Sequence, residues 1–165
     1  MDLIIVRHAI AESRDGSRWP DDRDRPLTED GKFKFRRSAK GLATFVDPPR
    51  VVLSSPLTRA WQTAEILREE AGWPAPKELR ELEPDLSAEG IRAALQSHAA
   101  AAAVAVVGHA PNLSELASLL LAGSPDAVAV VLKKGGVIAL DAGLFPEAGA
   151  ATLLWSIPPR VLRAL

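Results

Sequence analysis

Five short apolar runs alternate with longer segments of helical periodicity, and this alternation limits the chain to few folds. The runs are rich in Val, Ile and Leu and predict buried strands at 3–6, 51–54, 104–107 and 136–140, with an edge strand at 151–155. The intervening segments predict helices at about 29–46, 57–71, 87–99 and 112–122. The alternation favours an α/β fold, a three-layer α/β/α sandwich around a mostly parallel sheet of about five strands, in which an edge strand can be antiparallel.

The predicted helices begin and end at residues of suitable chemistry. Thr28 precedes two acidic residues and can cap the first helix, and Ser87 and Asn112 can cap two later ones. Gly72 and Gly123 suit helix C-termini, because glycine readily takes the left-handed conformation found there.

Composition narrows the classes of function. The length and a content of 47% hydrophobic and 25% charged residues suit one globular domain spanning 1–165. A net charge of −1 argues against general binding to nucleic acid or membranes, and no apolar run is long enough to cross a bilayer. The absence of cysteine excludes thiolate nucleophiles and zinc–thiolate sites. With no signal peptide at the N-terminus, a cytoplasmic monomer is expected.

Two arginines and two histidines follow three of the predicted strands. They are Arg7 and His8 after the first strand, Arg59 in the helix after the second, and His109 after the third. Ligands of parallel α/β sheets gather beyond the carboxyl ends of the strands. We therefore expect these four side chains to meet at one edge of the sheet.

The chemistry of this set predicts a site for a phosphoryl group. Forked guanidinium groups match the oxygens of a tetrahedral anion, and helix N-termini near 57 and 112 add backbone donors. A histidine can act as a neutral nucleophile or as a charged donor near neutral pH. A metal site fits poorly, because guanidinium groups disfavour a divalent cation and no carboxylate directly follows these strands. The spacing of a P-loop is also absent, so neither a metal nor another cofactor is expected.

Several segments, in the right order, resemble motifs of the histidine phosphatase superfamily, which has the phosphoglycerate-mutase-like fold. They are "VRHA" at the end of the first strand, "RPLTEDG" at 25–31, "LSSPLTRAWQTA" at 53–64 and "VVGHAPNLSELASLLLAG" at 106–123. The short chain and "LLWSIPPRVL" at 153–162 are similar to the small SixA-like phosphohistidine phosphatases.

This resemblance implies a role for each of the four residues. His8 would be the nucleophile that is transiently phosphorylated, and water would then hydrolyse the phospho-His8 intermediate. Arg7, Arg59 and His109 would bind the phosphoryl oxygens, and His109 would also stabilise the transition state.

The resemblance also indicates a general acid and separates subfamilies. In "ELRELEPD" the register favours Glu81 as the acid, with Glu83 as the alternative. Ala9 stands where the family usually has glycine, and Ala11 and Arg14 stand where mutases and many sugar phosphatases have a hydroxyl residue and an asparagine. These departures favour the short subfamily over a mutase.

Three functions remain open from the sequence. The first is a metal-independent phosphatase acting on phosphohistidine in a protein, such as a histidine-phosphotransfer-type domain of a phosphorelay. The second is a phosphomonoesterase for sugar or nucleotide phosphates, and the third is a non-catalytic module that binds phosphate or phosphoproteins. The charged segment 13–25 predicts an exposed loop whose arginines are either solvated or recruit an acidic protein surface: Arg14, Arg18, Arg23 and Arg25.

Overall fold

A six-stranded sheet forms the middle layer of the computed structural model, which describes residues 1–165. The strands lie in the order β3-β2-β4-β1-β5-β6 and comprise β1 (Asp2–Arg7), β2 (Val51–Ser54), β3 (Lys77–Glu78), β4 (Ala103–Gly108), β5 (Val137–Asp141) and β6 (Thr152–Ile157). The pairs β1–β4, β2–β4 and β2–β3 are parallel, whereas β5 is antiparallel to both β1 and β6. Every strand except β5 therefore runs in the same direction.

Helices cover both faces of the sheet and complete the expected three-layer α/β/α sandwich. They are α1 (Glu29–Leu42), α2 (Thr58–Ala71), α3 (Ala88–Leu95), α4 (Asn112–Ala122) and α5 (Pro159–Leu162). α1, α2 and α5 pack on one face and α3 and α4 on the other. Short 3-10 turns occur at Asp22–Asp24, Arg80–Leu82 and Gln96–His98. None of the helices has the length and apolar character needed to span a bilayer.

Strand β1 is buried on both faces, which explains its uninterrupted apolar run. Leu3 and Ile5 pack into the core on the α3 and α4 side, and Ile4 and Val6 pack into the core on the α1 and α2 side. β1 is also paired along both edges, with β4 and β5. The strand therefore gives the residues that follow it a rigid support.

The structure confirms the predicted strands and differs in their number and in some helix ends. β3 has only two residues, too few to give a recognisable periodicity. The first helix ends at Leu42 instead of 46, where the Thr44 hydroxyl donates to the Gly41 carbonyl at 2.7 Å and competes with the helical pattern. The third helix ends at Leu95 and passes into the 3-10 turn of residues 96–98.

Most of the predicted helix signals are confirmed. The side-chain oxygens of Thr28 and Ser87 accept the backbone N–H of the third residue that follows, at 2.9 and 3.1 Å. Gly72 and Gly123 end α2 and α4 with φ of 69° and 85°, values that favour glycine.

The prediction that Asn112 caps its helix is wrong. Pro111 occupies the cap position, and Asn112 is the first residue of α4. The Asn112 side-chain amide instead donates to the Glu83 carbonyl at 2.8 Å. This bond ties α4 to the chain segment that precedes α3.

Gly31 allows α1 to approach the segment that follows β1, and a side chain there would block this contact. An added Cβ would lie 2.1 Å from the Ile10 carbonyl oxygen, which also accepts the Thr28 backbone N–H at 3.0 Å. We expect Gly31→Ala to lower the free energy of unfolding by about 2 kcal/mol or more, measured by urea denaturation.

Gly90→Ala in α3 is the matched control. Its added Cβ would meet the Ser87 hydroxyl oxygen at 3.4 Å, an ordinary contact. We expect a gain of about 0.5–1 kcal/mol, because alanine is the better helix former. Equal stability changes in the two variants would contradict the packing described for Gly31.

Candidate active site

The structure brings the four residues predicted to form the site together. Arg7, His8, Arg59 and His109 line one pocket of about 330 Å³ beyond the carboxyl ends of β1, β2 and β4. The two imidazole rings lie with their centroids 5.2 Å apart. The four predicted residues therefore share one cavity, which Arg14, Arg25 and Lys134 also line.

His8 has a defined tautomer. Its Nδ1 lies 2.7 Å from the Ala9 carbonyl oxygen, which can only accept, so Nδ1–H is the donor and Nε2 carries the lone pair. Burial lowers the pKa of His8 to about 3, and the charges of Arg59, Arg7 and Lys134 act in the same direction. His8 is therefore a neutral imidazole at physiological pH with an unprotonated Nε2.

His109 is held by Ser55. The Ser55 Oγ lies 2.9 Å from His109 Nε2 and accepts the Leu57 backbone N–H at 3.3 Å. His109 Nε2 is the only hydrogen-bond acceptor within reach of the Ser55 hydroxyl, so we assign the hydroxyl as the donor to Nε2. Nε2 is then unprotonated, and the imidazole proton lies on Nδ1. His109 Nδ1 is buried without a protein partner. Burial lowers the pKa of His109 to about 2, with further lowering by His8 and Arg59, so the ring offers a neutral N–H donor.

Both arginines of the pocket are anchored and retain an unused donor. An Arg7 terminal nitrogen donates to the Leu132 carbonyl at 2.8 Å. Arg59 donates to the Asp22 carbonyl at 2.8 Å and lies 3.1 Å from the Asp22 carboxylate. The Nε of each arginine is buried without a partner. Burial lowers the pKa of both groups, yet a guanidinium remains charged in proteins, so Arg7 and Arg59 each present a fixed positive charge to the pocket.

Helix α2 positions both Arg59 and the segment after His8. The Thr63 hydroxyl accepts the Ala9 backbone N–H at 3.0 Å and donates to the Arg59 carbonyl at 2.7 Å. The Gln62 side-chain oxygen accepts the Leu27 backbone N–H at 2.8 Å. The "TRAWQTA" motif therefore supplies one pocket cation and two anchors for neighbouring loops.

Segment 13–25 includes charged residues that sequence reasoning did not place in the site. Asp22 bridges Arg25 and Arg59, because its carboxylate accepts a hydrogen bond from Arg25 Nε at 2.7 Å and forms an ion pair with Arg59. Arg25 is 8% exposed and also donates to the Glu12 carbonyl at 2.8 Å, so the expectation of a solvated Arg25 is wrong. The sequence shows these charges but not their pairing. The other three arginines of the segment, Arg14, Arg18 and Arg23, are exposed as predicted.

Lys134 is a further residue of the site that the sequence did not indicate. It lines the pocket from the segment that leads into β5. Because β5 is antiparallel to β1, its amino end lies beside the carboxyl end of β1, where Gly135 N–H donates to the Arg7 carbonyl at 3.0 Å. The only sequence signal for Lys134 was its position in "KKGG", directly before an apolar run.

The carboxylates predicted as general acid do not line the pocket. Glu81 lies on the partly exposed 3-10 turn Arg80–Leu82. The alternative, Glu83, forms an ion pair with Arg23. Glu12 is the one acidic residue that lines the pocket. The structure therefore brings together the two arginines and two histidines but not the predicted acid.

Comparison with known proteins agrees with the fold and the motifs. Residues 3–87 match the model of the histidine phosphatase superfamily (branch 1). An uncharacterized protein of Picosynechococcus sp. (strain ATCC 27264 / PCC 7002 / PR-6) is 37% identical over 145 residues, which are 87% of this chain and 86% of that protein. The chain belongs to the histidine phosphatase superfamily.

Solved structures place the chain near the SixA proteins. A structure of the protein histidine phosphatase SixA complexed with tungstate has a TM-score of 0.83 and 28% identity, covering 98% of this chain and 99% of that chain. A putative phosphohistidine phosphatase SixA from Nakamurella multipartitia has a TM-score of 0.77 and 26% identity, covering 96% of this chain and 95% of that chain. The comparisons confirm the SixA-like resemblance and the phosphatase class.

The depressed pKa values of His8 and His109 predict a loss of stability in acid. Each imidazole has a pKa of 6.5 when unfolded and about 3 or about 2 when folded, so the unfolded chain binds more protons below pH 6.5. The neutral imidazoles therefore do not lower the free energy of unfolding above pH 6.5. This free energy falls as the pH drops below that value. We expect urea denaturation to show a loss of about 2 kcal/mol per histidine between pH 7 and 5.

His8→Ala should remove about half of this dependence. Because the variant removes one of the two buried rings, its unfolding free energy should change less with pH than that of the native chain. An unchanged pH dependence in His8→Ala would show that His8 is not held neutral by burial.

Asp22→Asn tests the bridge to Arg59. The variant removes a negative charge that competes with an anion for the Arg59 guanidinium, so inorganic phosphate should bind about threefold more tightly by calorimetry. Asp15→Asn, an exposed change in the same segment, is the control and should leave phosphate affinity unchanged. Much weaker phosphate binding in Asp22→Asn would mean that the carboxylate chiefly orients Arg59.

Proposed function

We propose that this chain hydrolyses phosphohistidine on a protein through a phospho-His8 intermediate, without a metal ion. The observation that carries the proposal is His8 itself, a neutral imidazole whose Nε2 is unprotonated. It shares its pocket with the buried Arg59, the half-buried Arg7 and the His109 ring. This arrangement supports a role for His8 as nucleophile and for the other three groups as donors to the phosphoryl oxygens.

In the first step His8 Nε2 attacks phosphorus, and the bond between phosphorus and the substrate imidazole breaks. The electron pair of that bond goes to the leaving imidazole, which takes a proton from water. Arg7, Arg59 and His109 Nδ1–H bind the phosphoryl oxygens. They compensate charge that develops in the transition state.

In the second step water attacks the phosphorus of phospho-His8. The P–Nε2 bond breaks, inorganic phosphate leaves, and the lone pair returns to Nε2. The Ala9 carbonyl keeps the Nδ1 proton in place throughout, so the same tautomer is ready for the next turnover. The two displacements need positioning and charge compensation from the protein.

The position of the carboxylates supports a nitrogen leaving group. An alkoxide needs a proton from a general acid as it leaves, which contributes about 10²–10⁴-fold, whereas an imidazole is a better leaving group. Glu81 and Glu83 do not line the pocket, and Glu12 does so with its carboxylate near the exposed Arg18. The likeness to the protein histidine phosphatase SixA, at 28% identity, points to the same substrate class.

The direct test compares a phosphorylated histidine-phosphotransfer domain with p-nitrophenyl phosphate and a panel of sugar and nucleotide phosphates. We expect kcat/KM for the phosphohistidine protein to exceed that for the esters by about a hundredfold, the lower end of what a general acid supplies. His8→Ala should abolish turnover of both. Glu81→Gln should leave hydrolysis of phosphohistidine within about twofold of the native rate.

Two outcomes would contradict the proposal. Fast ester hydrolysis that falls about a hundredfold in Glu81→Gln, with no release from phosphohistidine, would identify a small-molecule phosphomonoesterase. Phosphate binding without turnover of any substrate would identify a non-catalytic binding module.

A further inference from the structure

A second, smaller cavity with a basic lining lies beside the candidate active site. Its volume is about 170 Å³, and it lies between α1, the segment after β1 and the start of α5. Three of its lining side chains are cationic, namely Lys34, Lys134 and Arg163, and none is acidic. A cavity with this lining is suited to an anionic group.

Consecutive residues of the chain line the two cavities, and one cationic residue lines both. Ala9 and Ile10 line the basic cavity and directly follow His8, which lines the active-site pocket. Lys134 lines both cavities, and its charge contributes to the lowered pKa of His8. A molecule bound with its phosphoryl group at His8 can therefore reach the basic cavity with an adjacent group.

Two of the three cations have no acidic partner. Lys134 and Arg163 make no ion pair, whereas Lys34 pairs with Asp30 one turn earlier on α1 at 2.6 Å. Charged groups without partners on a surface leave an uncompensated positive field. That field lies at the edge of the active site and has no evident role in packing.

We propose that the basic cavity of Lys34, Lys134 and Arg163 binds an acidic side chain of the protein substrate, next to the phosphorylated histidine. The inference rests on the proposed function and adds the substrate feature that the enzyme selects. The guanidinium fork of Arg163 matches a carboxylate, and Lys134 links the carboxylate site to the phosphoryl site.

The surroundings favour a protein over a small molecule with two phosphates. Arg59 in the active-site pocket is buried and hydrogen-bonded, whereas Lys134 is exposed and Lys34 and Arg163 are partly exposed. Partly exposed cations around an apolar contact are typical of the rim of a protein interface, where they set partner choice and association rate. Ile10, an exposed aliphatic residue that lines the same cavity, supplies that contact.

The test uses phosphohistidine peptides that differ only in having Asp or Asn, placed in turn at every position near the phosphorylated residue. We expect the native enzyme to prefer one or more of the Asp peptides by roughly tenfold in kcat/KM, and the preference to weaken with salt. Lys34→Gln combined with Arg163→Gln should abolish this preference. The double variant should hydrolyse p-nitrophenyl phosphate at the native rate, because neither residue lines the active-site pocket.

The control is Lys40→Gln combined with Arg50→Gln. It removes the same charge from exposed positions outside both cavities and should keep the Asp preference. Loss of the preference in this control as well would assign it to net charge and overturn the proposal.

Failure of this inference is distinct from failure of the proposed function. The basic cavity does not bind an acidic side chain if the native enzyme hydrolyses the Asp and Asn peptides equally well. The same conclusion follows if the double variant still prefers the Asp peptides. The native enzyme could instead prefer bisphosphates to p-nitrophenyl phosphate. If the double variant loses that preference while its hydrolysis of the peptides is unchanged, the cavity binds a small molecule and the proposal is overturned. If no phosphohistidine peptide or protein is hydrolysed at all, the proposed function itself is wrong.

Discussion

The hydrogen bond from His8 Nδ1–H to the Ala9 carbonyl is the interaction on which the proposed chemistry depends. It fixes the proton on Nδ1 and leaves the lone pair on Nε2, the nucleophile in the proposed reaction. Ala9 is itself held, because its backbone N–H donates to the Thr63 hydroxyl, which donates to the Arg59 carbonyl. The orientation of His8 and the backbone position of Arg59 are therefore set by one short chain of hydrogen bonds.

The positive charge gathered in the site helps to keep its two histidines neutral. Burial beside guanidinium groups makes an imidazolium costly, so both rings titrate far below their usual range. Asp22 lies between Arg25 and Arg59 and offsets part of the charge without lying among the groups that line the pocket. Nε of Arg7, Nε of Arg59 and Nδ1 of His109 are buried without a partner, and in the proposed reaction they are the donors that meet the phosphoryl group.

The sequence predicted the parts of the site that follow parallel strands. Arg7, His8 and His109 come directly after apolar runs buried on both faces, and such runs are visible without a structure. Arg59 could be placed because it follows the second run at the start of a helix. Helix caps at Thr28 and Ser87 were likewise predictable, since they depend on a few adjacent residues.

The rest depends on information that local patterns do not carry. An apolar run does not reveal its direction in the sheet, so the antiparallel β5, and with it the position of Lys134, could not be predicted. Asp22 stood among several charged residues, and only the folded loop selects which of them meets Arg59. Glu81 was assigned by register within a motif, and the 3-10 turn that carries it keeps it out of the pocket lining.

The most direct test of the account is to identify the nitrogen that carries phosphorus during turnover. The enzyme is quenched rapidly in alkali while it hydrolyses a phosphohistidine protein, and the phosphorylated residue and its isomer are assigned by mass spectrometry and ³¹P NMR. We expect phosphorus on Nε2 of His8, because Nδ1–H donates to the Ala9 carbonyl. Phosphorus on Nδ1, on another residue, or on no residue while substrate is being hydrolysed would contradict it.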